Sequence, residues 1–359
     1  MLKISLCNYK LMSIAKSVFI FLFFFFAISL YAQVGGTQTY SFLDLTPSAQ
    51  TAALGGKMNA TPSVDPSVAF YNPAMMDSAA SNYLSFSFVD LFAGIGFGYV
   101  AYSRSYSAIG SFAAGIHYIN YGHFTEADMY GLPYGNFTAA EYAFNFSYSR
   151  TLSRFDSILS VGVNFKPLLS VFERYSSYGM LFDAGISYRH PNNLFTAALV
   201  LRNIGGQITP YADSGREPAP FELQLGFSQK LQYAPFRFSF LIQHLERLRL
   251  GYNKENLDPM PGQKPVTKDD LKKGVDLIFD EMLRHIIFGV ECYPFQGLTV
   301  RAGYNYNRRQ DMKIETRPAM VGFSWGLGIK LSRIHINYAR SVWHLAGASD
   351  HISLSVYFK

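Results

Sequence analysis

Charge is scarce in this chain. Asp, Glu, Lys and Arg make up 16% of its 359 residues, against roughly 25% in an average soluble domain. Cysteine is scarcer: there are two, and Cys7 lies in an N-terminal leader, so Cys292 has no intramolecular disulfide partner. After residue 31 no run approaches the roughly 20 apolar residues that a membrane-spanning helix needs. Chemistry-bearing motifs are also missing. The eight histidines show no HExxH or other metal-ligand spacing, and no GxSxG elbow occurs. Asp350 and His351 are neighbours, but neighbours in a strand face opposite sides and make no dyad. Gly94, Gly96 and Gly98 fall at period two with no helix after them, so the dinucleotide-loop reading fails its context. These absences exclude a metal centre, a bound cofactor and hydrolytic or nucleotide chemistry as expectations, and the chain reads as a non-enzyme. The formal charge is +6; without Lys3, Lys10 and Lys16 of the leader, 28 basic residues face 25 acidic ones, +3. That is too mild and too scattered for nucleic acid.

Aromatic residues and two-residue alternation are plentiful. The chain holds 32 Phe and 25 Tyr. From Asn82 onward apolar residues recur at every second position: Leu84, Phe86 and Phe88; Ile95, Phe97 and Tyr99; Tyr142, Phe144, Phe146 and Tyr148; Phe221, Leu223, Leu225 and Phe227; Val321, Phe323, Trp325, Leu327 and Ile329. Side chains alternate across a strand, so each segment has one apolar face and one small or polar face. An apolar exterior around a polar lumen produces this pattern in a membrane barrel. About fourteen such strands can be counted. The sequence therefore predicts an all-β fold, a transmembrane antiparallel β-barrel. The three glycines at 94, 96 and 98 are expected to thin its wall where an internal segment approaches.

Organisation follows from the flanks. Lys10 and Lys16 precede the apolar run Val18 to Leu30, with Ala32-Gln33 as a plausible cleavage point, so residues 1–32 read as a cleaved secretory signal peptide. Residues 33–80, rich in Thr, Ser, Ala, Gly and Pro, read as an N-terminal hatch or plug lying inside the barrel, and residues 81–359 as the barrel itself. Short links follow the even strands, such as Arg189 to Asn193 and Tyr293 to Gly297. Long ones tend to follow odd strands, Tyr121 to Thr138, Gly205 to Pro218, and Arg247 to Arg284, although the first link, near Asp90, is short and breaks the pattern. Short periplasmic turns and long outer loops are the barrel rule, and an even strand count puts both termini in the periplasm. In the loop 247–284, Thr267 and Asp270 resemble a capping box, and Leu271, Val275, Ile278, Phe279 and Met282 recur at helical spacing. That helix either folds over the barrel mouth or stays exposed as a docking helix. Tyr130, Tyr134 and Phe137 in the first long link, and Phe279 and Met282 in the last, are residue types that anchor interfaces; loop-on-loop packing is the alternative.

The segment before the first strand ends in Phe70-Tyr71-Asn72-Pro73-Ala74. This resembles the hatch motif of the FadL-type family of outer-membrane channels, which have fourteen strands and an N-terminal hatch carrying Asn-Pro-Ala. The preceding run, Thr39-Tyr40-Ser41-Phe42-Leu43-Asp44-Leu45-Thr46-Pro47-Ser48-Ala49 and then Ala52-Ala53-Leu54-Gly55-Gly56, resembles the PorV/PorQ branch of these barrels, from the type IX secretion system. The terminal strand ends on Phe358, similar to the aromatic signal read by barrel-assembly machinery, although Lys359 follows. The resemblance implies an outer-membrane, non-enzymatic component of the cell-surface attachment complex. Its expected partners are outer-membrane lipid, a PorZ-like surface protein, a PorU-like sortase and a PorV-like barrel. The other reading it leaves open is a FadL-like transporter of hydrophobic small molecules, gated by the hatch.

Overall fold

A computed structural model of the chain describes residues 38–91, 94–152, 158–211, 215–251, 275–312, 320–344 and 347–358. Alternation in the sequence becomes a closed antiparallel barrel of fourteen strands: β1 (Tyr83–Asp90), β2 (Gly96–Tyr106), β3 (Gly110–Ala127), β4 (Pro133–Leu152), β5 (Ile158–Phe172), β6 (Tyr175–Arg189), β7 (Phe195–Thr209), β8 (Glu222–Lys230), β9 (Phe236–Ile242), β10 (Ile286–Phe295), β11 (Leu298–Asn305), β12 (Phe323–Lys330), β13 (Ile334–His344) and β14 (Gly347–Tyr357). Each strand pairs with its neighbour in sequence, and β1 closes on β14 from Tyr83↔Tyr357 to Asp90↔Asp350. Closure leaves no unpaired sheet edge, the condition for strands to cross a membrane.

The outward faces are apolar: Phe88, Phe146, Val163, Phe182, Trp325 and Ile352 are all exposed. Aromatic contacts run the height of this belt, Phe146–Phe165 and Phe165–Phe182 at its middle, and include pairs toward both ends. Phe112–Tyr148 and Tyr188–Phe195 lie on the side of the short turns, and Tyr118–Tyr142 and Tyr304–Phe323 on the side of the long links. Such paired girdles mark the two water interfaces of membrane barrels. Inward faces are small and polar. Ser85, Ser87, Ser353 and Ser355 line β1 and β14, with Ser87 Oγ 2.9 Å from Ser353 Oγ. Asp350 faces out toward Arg340 while His351 is buried inside.

Three expectations change. In β2 the aromatic face points inward, because Phe97 and Tyr99 pack against buried His117 and Phe70, leaving Val100 and Tyr102 outside. Gly96 and Gly98 consequently approach Ser87, Phe88 and Val89 of the adjacent strand rather than the plug, and Gly94 approaches nothing within 4 Å. The link Tyr121 to Thr138 is largely strand, since β3 and β4 stay paired as a hairpin through His123↔Thr138, Phe124↔Phe137 and Thr125↔Asn136. The wall is accordingly tall at β3 to β7 and low at β8 to β12. The loop Gly205 to Pro218 shrinks likewise: β7 continues to Thr209, and Gly206 bridges Pro218.

Inside the barrel, residues 38–82 form the plug. It contains two short helices, α1 (Ala49–Ala53) and α2 (Val68–Tyr71), with 3-10 turns at Ser41–Asp44, Pro73–Met75 and Ser78–Ala80. Outside the wall of strands, α3 (Val275–Arg284) precedes β10 and α4 (Tyr306–Met312) follows β11. The capping-box residues Thr267 and Asp270, and Leu271, lie outside the described residues. Among the described residues no helix is long and apolar enough to cross a membrane.

Candidate functional site

The plug is seated by absent side chains. At inward positions of β5, β6, β8, β10, β11 and β12 the wall carries Gly162, Gly185, Gly226, Gly289, Gly303 and Gly326, and plug atoms occupy the space a Cβ would need. A Cβ on Gly326 would stand 2.7 Å from Ala53 Cβ, and one on Gly289 3.1 Å from Leu54 Cβ. On Gly162 it would collide with Pro73 and Ala74, on Gly185 with the Asn72 side chain, and on Gly303 with the Leu54 backbone. Only glycine admits this approach of two backbones.

The motif Phe70 to Ala74 lies at the centre of this seat, and Phe70 and Asn72 are fully buried. Asn72 works twice. Its Oδ1 accepts from the Ala74 N–H at 2.9 Å, capping the turn that Pro73 begins, and its Nδ2 donates to the Asn59 carbonyl at 2.9 Å. Ser187 Oγ on β6 donates to the Ala74 carbonyl at 2.9 Å. The Phe70 ring lies 4.9 Å from Lys166 Nζ and 5.6 Å from Arg202 Cζ, and meets His117 and Tyr71 edge to face at 5.1 and 5.3 Å. Cations over a desolvated ring face are attracted by its quadrupole.

Those two cations belong to a buried charge array that the sequence reading did not single out. Lys166 Nζ lies 2.5 Å from Asp183 Oδ2, and both side chains are wholly buried. A bulge in β7 turns both Arg202 and Asn203 inward. It occurs where Asn203 adopts a left-handed φ of 58°, and the β6–β7 register shifts between Phe182 and Ala184. Asn tolerates that region better than most residues. Arg202 then donates to the Leu43 carbonyl and lies 3.6 Å from Glu222. Lys57 of the plug pairs with Glu222 at 3.0 Å and Asp44 at 3.5 Å. Burial alone would push the Lys57 ammonium down, but the Asp44 and Glu222 carboxylates outweigh it and hold the group above its ordinary value. The available signal was a full charge at an inward position of faces otherwise made of Ser, Gly and Asn.

Space inside the plug is small. The cavity among Ser48, Gln50, Thr51, Leu54, Met58, Thr61, Ser63, Ser67 and Val68 measures about 10 Å³, the room of a single water. An open groove of about 430 Å³ lies at the foot of the β3–β4 hairpin, between His123, Glu126, Phe137, Glu173 and Arg174. Among the described residues no group of His, Cys, Asp and Glu can hold a metal ion. Ser349 Oγ is 2.8 Å from His351 Nε2, but both are buried and Asp350 faces away.

The long-link end presents apolar side chains in two patches. In α3, Ile278, Phe279 and Met282 are 65%, 62% and 61% exposed, because the polar side of the helix is used to hold it down. Glu281 accepts from the Leu250 and Gly251 N–H groups, Arg284 pairs with Asp280 in its own helix and with Asp311 on α4 at 2.8 Å, and Tyr306 donates to Asp280 at 2.6 Å. The second patch is the hairpin tip, where Met129, Tyr130, Leu132 and Tyr134 are exposed around a turn closed by Asp128. Phe137 is half-buried, stacked on Phe124 at 5.0 Å. The structure therefore gathers Phe70 to Ala74 at one place. It splits the docking candidates six strands apart, with Tyr130, Tyr134 and Phe137 on one side of the mouth and Phe279 and Met282 on the other.

No protein-family model matches the chain, and no curated protein does. Among solved structures it is similar to the toluene transporter TbuX of Ralstonia pickettii, with a TM-score of 0.50 and 11% identity over 89% of this chain and 100% of that one. The toluene transporter TodX of Pseudomonas putida gives 0.49 and 11% over 88% and 99%. A Pseudomonas aeruginosa FadL homologue gives 0.43 and 13% over 87% and 97%. What is shared with TbuX at such identity is the fold alone, a closed antiparallel barrel.

Proposed function

We propose that this chain is a plugged outer-membrane scaffold, PorQ-like in role, which holds a PorZ-like surface protein of the type IX attachment complex at its long-link end. The observation that carries this reading is the orientation of α3. Asp280, Glu281 and Arg284 are spent on contacts at the barrel mouth, and Ile278, Phe279 and Met282 are left facing solvent. Exposed apolar groups of this size at a rim of polar residues are the anatomy of a protein interface. The seat of the plug supports the same reading, since ion pairs and close backbone approach fix it to the wall. Under this reading a cleaved signal exports the chain, and its short turns and both termini face the periplasm. PorU-like and PorV-like proteins are then neighbours in the same assembly.

Transport of a hydrophobic small molecule is the second reading, and one observation favours it beyond the TbuX-like fold. The β4–β5 ladder skips Phe144 and Asn145 against Lys166 and Pro167, and Pro167 has no N–H to donate. A wall seam beside the plug is a place where a lateral path would open. Affinity purification of the full-length protein from detergent-solubilised outer membranes, with mass spectrometry of what co-purifies, separates the two. Recovery of a large multidomain surface protein that is lost on deleting residues 247–284 is the expected result. A partner-free barrel whose hydrocarbon uptake falls on stiffening the seam would replace scaffold with transporter.

A further inference from the structure

The lipid-facing wall carries two arginines that no acid on the described wall neutralises. Arg104 on β2 and Arg150 on β4 lie on the outward side of their strands, in phase with exposed Val100 and Phe146, near the short-turn end. Neither forms an ion pair or donates a hydrogen bond to a described residue. Arg104 lies over the Tyr106 ring at 5.2 Å from its centroid. Between them runs an aromatic ladder: Tyr106 meets Phe112 edge to face at 6.2 Å, and Phe112 meets Tyr148 at 5.1 Å. Register fixes their spacing. Arg104 is paired to Phe112 and Phe112 to Tyr148, with Arg150 two residues further on, so their Cα atoms are about 12 Å apart by strand geometry. Two arginine side chains on one face can converge across that distance on a single headgroup.

The surroundings sharpen the charge. The described turns and strand ends of this rim also bear Arg189, Lys230, Lys330 and Arg333, against a single acid, Asp77, which Arg189 occupies at 2.7 Å. Above the arginines the wall is apolar, through Val100, Ile116 and Phe146.

We propose that the strip from Arg104 across Phe112 and Tyr148 to Arg150 is a binding site for the phosphate-bearing headgroup of an anionic phospholipid, in the leaflet at the short-turn end. Aromatic girdles sit at headgroup depth. An arginine there with no acidic neighbour among the described residues meets its requirement for an anion through lipid phosphate, which its planar fork suits. The acyl chains then lie against the apolar wall. The inference rests on the barrel fold and its outward face, and it holds whether the opposite end docks a protein or the barrel transports.

Native mass spectrometry of the purified full-length protein, released from micelles containing phosphatidylglycerol or phosphatidylcholine, tests it. Wild type is expected to retain phosphatidylglycerol about tenfold better, since each surface cation attracts anionic lipid measurably. R104Q/R150Q should bring the two lipids level, and each single variant should lose about threefold, which keeps the test readable if the double variant does not assemble. Heat-modifiable migration on gels reports folding independently. Equal retention of both lipids by wild type would overturn the site. So would a preference that survives R104Q/R150Q but disappears in K330Q/R333Q, or stronger retention of lipopolysaccharide than of phosphatidylglycerol.

Discussion

Lys57 Nζ, carried by the plug, lies 3.0 Å from Glu222 Oε2 on β8, and the glutamate also faces Arg202 and His244 at 3.6 Å each. The pair is unequal. Removing Lys57 leaves Glu222 with Arg202 beside it, whereas removing the Glu222 charge leaves buried Arg202 without a carboxylate among the described residues and Lys57 with Asp44 alone. Glu222→Gln is therefore expected to destabilise by about 3–5 kcal/mol, the range for breaking a buried ion pair from one side, and Lys57→Met by clearly less. The double variant should cost less than the sum, because the two share one interaction. Denaturant midpoints of the purified barrel, followed by circular dichroism, measure all three. Equal effects of the single variants would mean that Glu222 interacts with the plug lysine alone.

The glycine seat makes a sharper demand than any single contact. Gly303→Val places a branched side chain where the Leu54 and Gly55 backbones run, and the plug has to leave that wall or the barrel has to widen. An Ala53→Cys reporter in a Cys292→Ser background should be protected from maleimide in the parent and labelled in Gly303→Val. Gly206→Ala is the matched comparison. A Cβ there would have nothing within 4 Å, so protection should be unchanged and stability should stay within about 0.5 kcal/mol of the parent. Continued protection in Gly303→Val would mean that the plug is not held by close approach at this strand.

Asn72 and Pro73 divide the work of the motif differently from their order of rigidity. Asn72 supplies a cap to Ala74 and a cross-plug hydrogen bond to Asn59. Asn72→Ala should cost about 1–3 kcal/mol from the lost cap and the Asn59 carbonyl left unpaired. Pro73 starts a 3-10 turn, where a missing N–H is no loss, so Pro73→Ala should cost under about 1 kcal/mol. Limited proteolysis of residues 49–76 reports both. Comparable loosening by the two changes would move the anchor from the asparagine side chain to the proline ring.

Fourteen strands were legible because alternation needs only residue types in order, and each phase shift is visible in the chain. What alternation leaves open is which face meets lipid. In β2 the answer came out inverted, since Phe97 and Tyr99 match Phe70 and His117 of the interior better than they match hydrocarbon. The hairpin beyond Tyr121 looked like a loop because Gly122, Asp128, Gly131 and Pro133 interrupt the pattern, although pairing of Phe124 with Phe137 carries the strands on. Helix α4 was hidden for the opposite reason: Tyr304 and Tyr306 kept alternating into it. The plug motif was visible as residues, but its seat was not. Gly162, Gly185 and Gly303 are scattered over three strands, and only closure of the barrel brings them to one surface. Lys166, Asp183, Arg202 and Glu222 were lost among generic lumenal polar positions for the same reason.

The exposed faces of α3 and of the hairpin give the last expectation. Phe279→Asp and Met282→Asp change side chains that touch little of the barrel, so unfolding midpoints should move by less than about 0.5 kcal/mol. If α3 carries the partner, either change should reduce the surface protein recovered with the barrel by about tenfold or more, the scale of a central interface anchor. Glu281→Gln acts on the same face indirectly, by weakening the hold of Leu250 and Gly251 on the helix. It should lower recovery by less, and recovery should return when the helix is cross-linked to α4. Tyr130→Asp and Tyr134→Asp probe the other patch, half a circumference away. Loss of recovery from the hairpin pair alone would transfer docking to the tall side of the wall, and loss from both sets would describe a partner broad enough to cover the mouth.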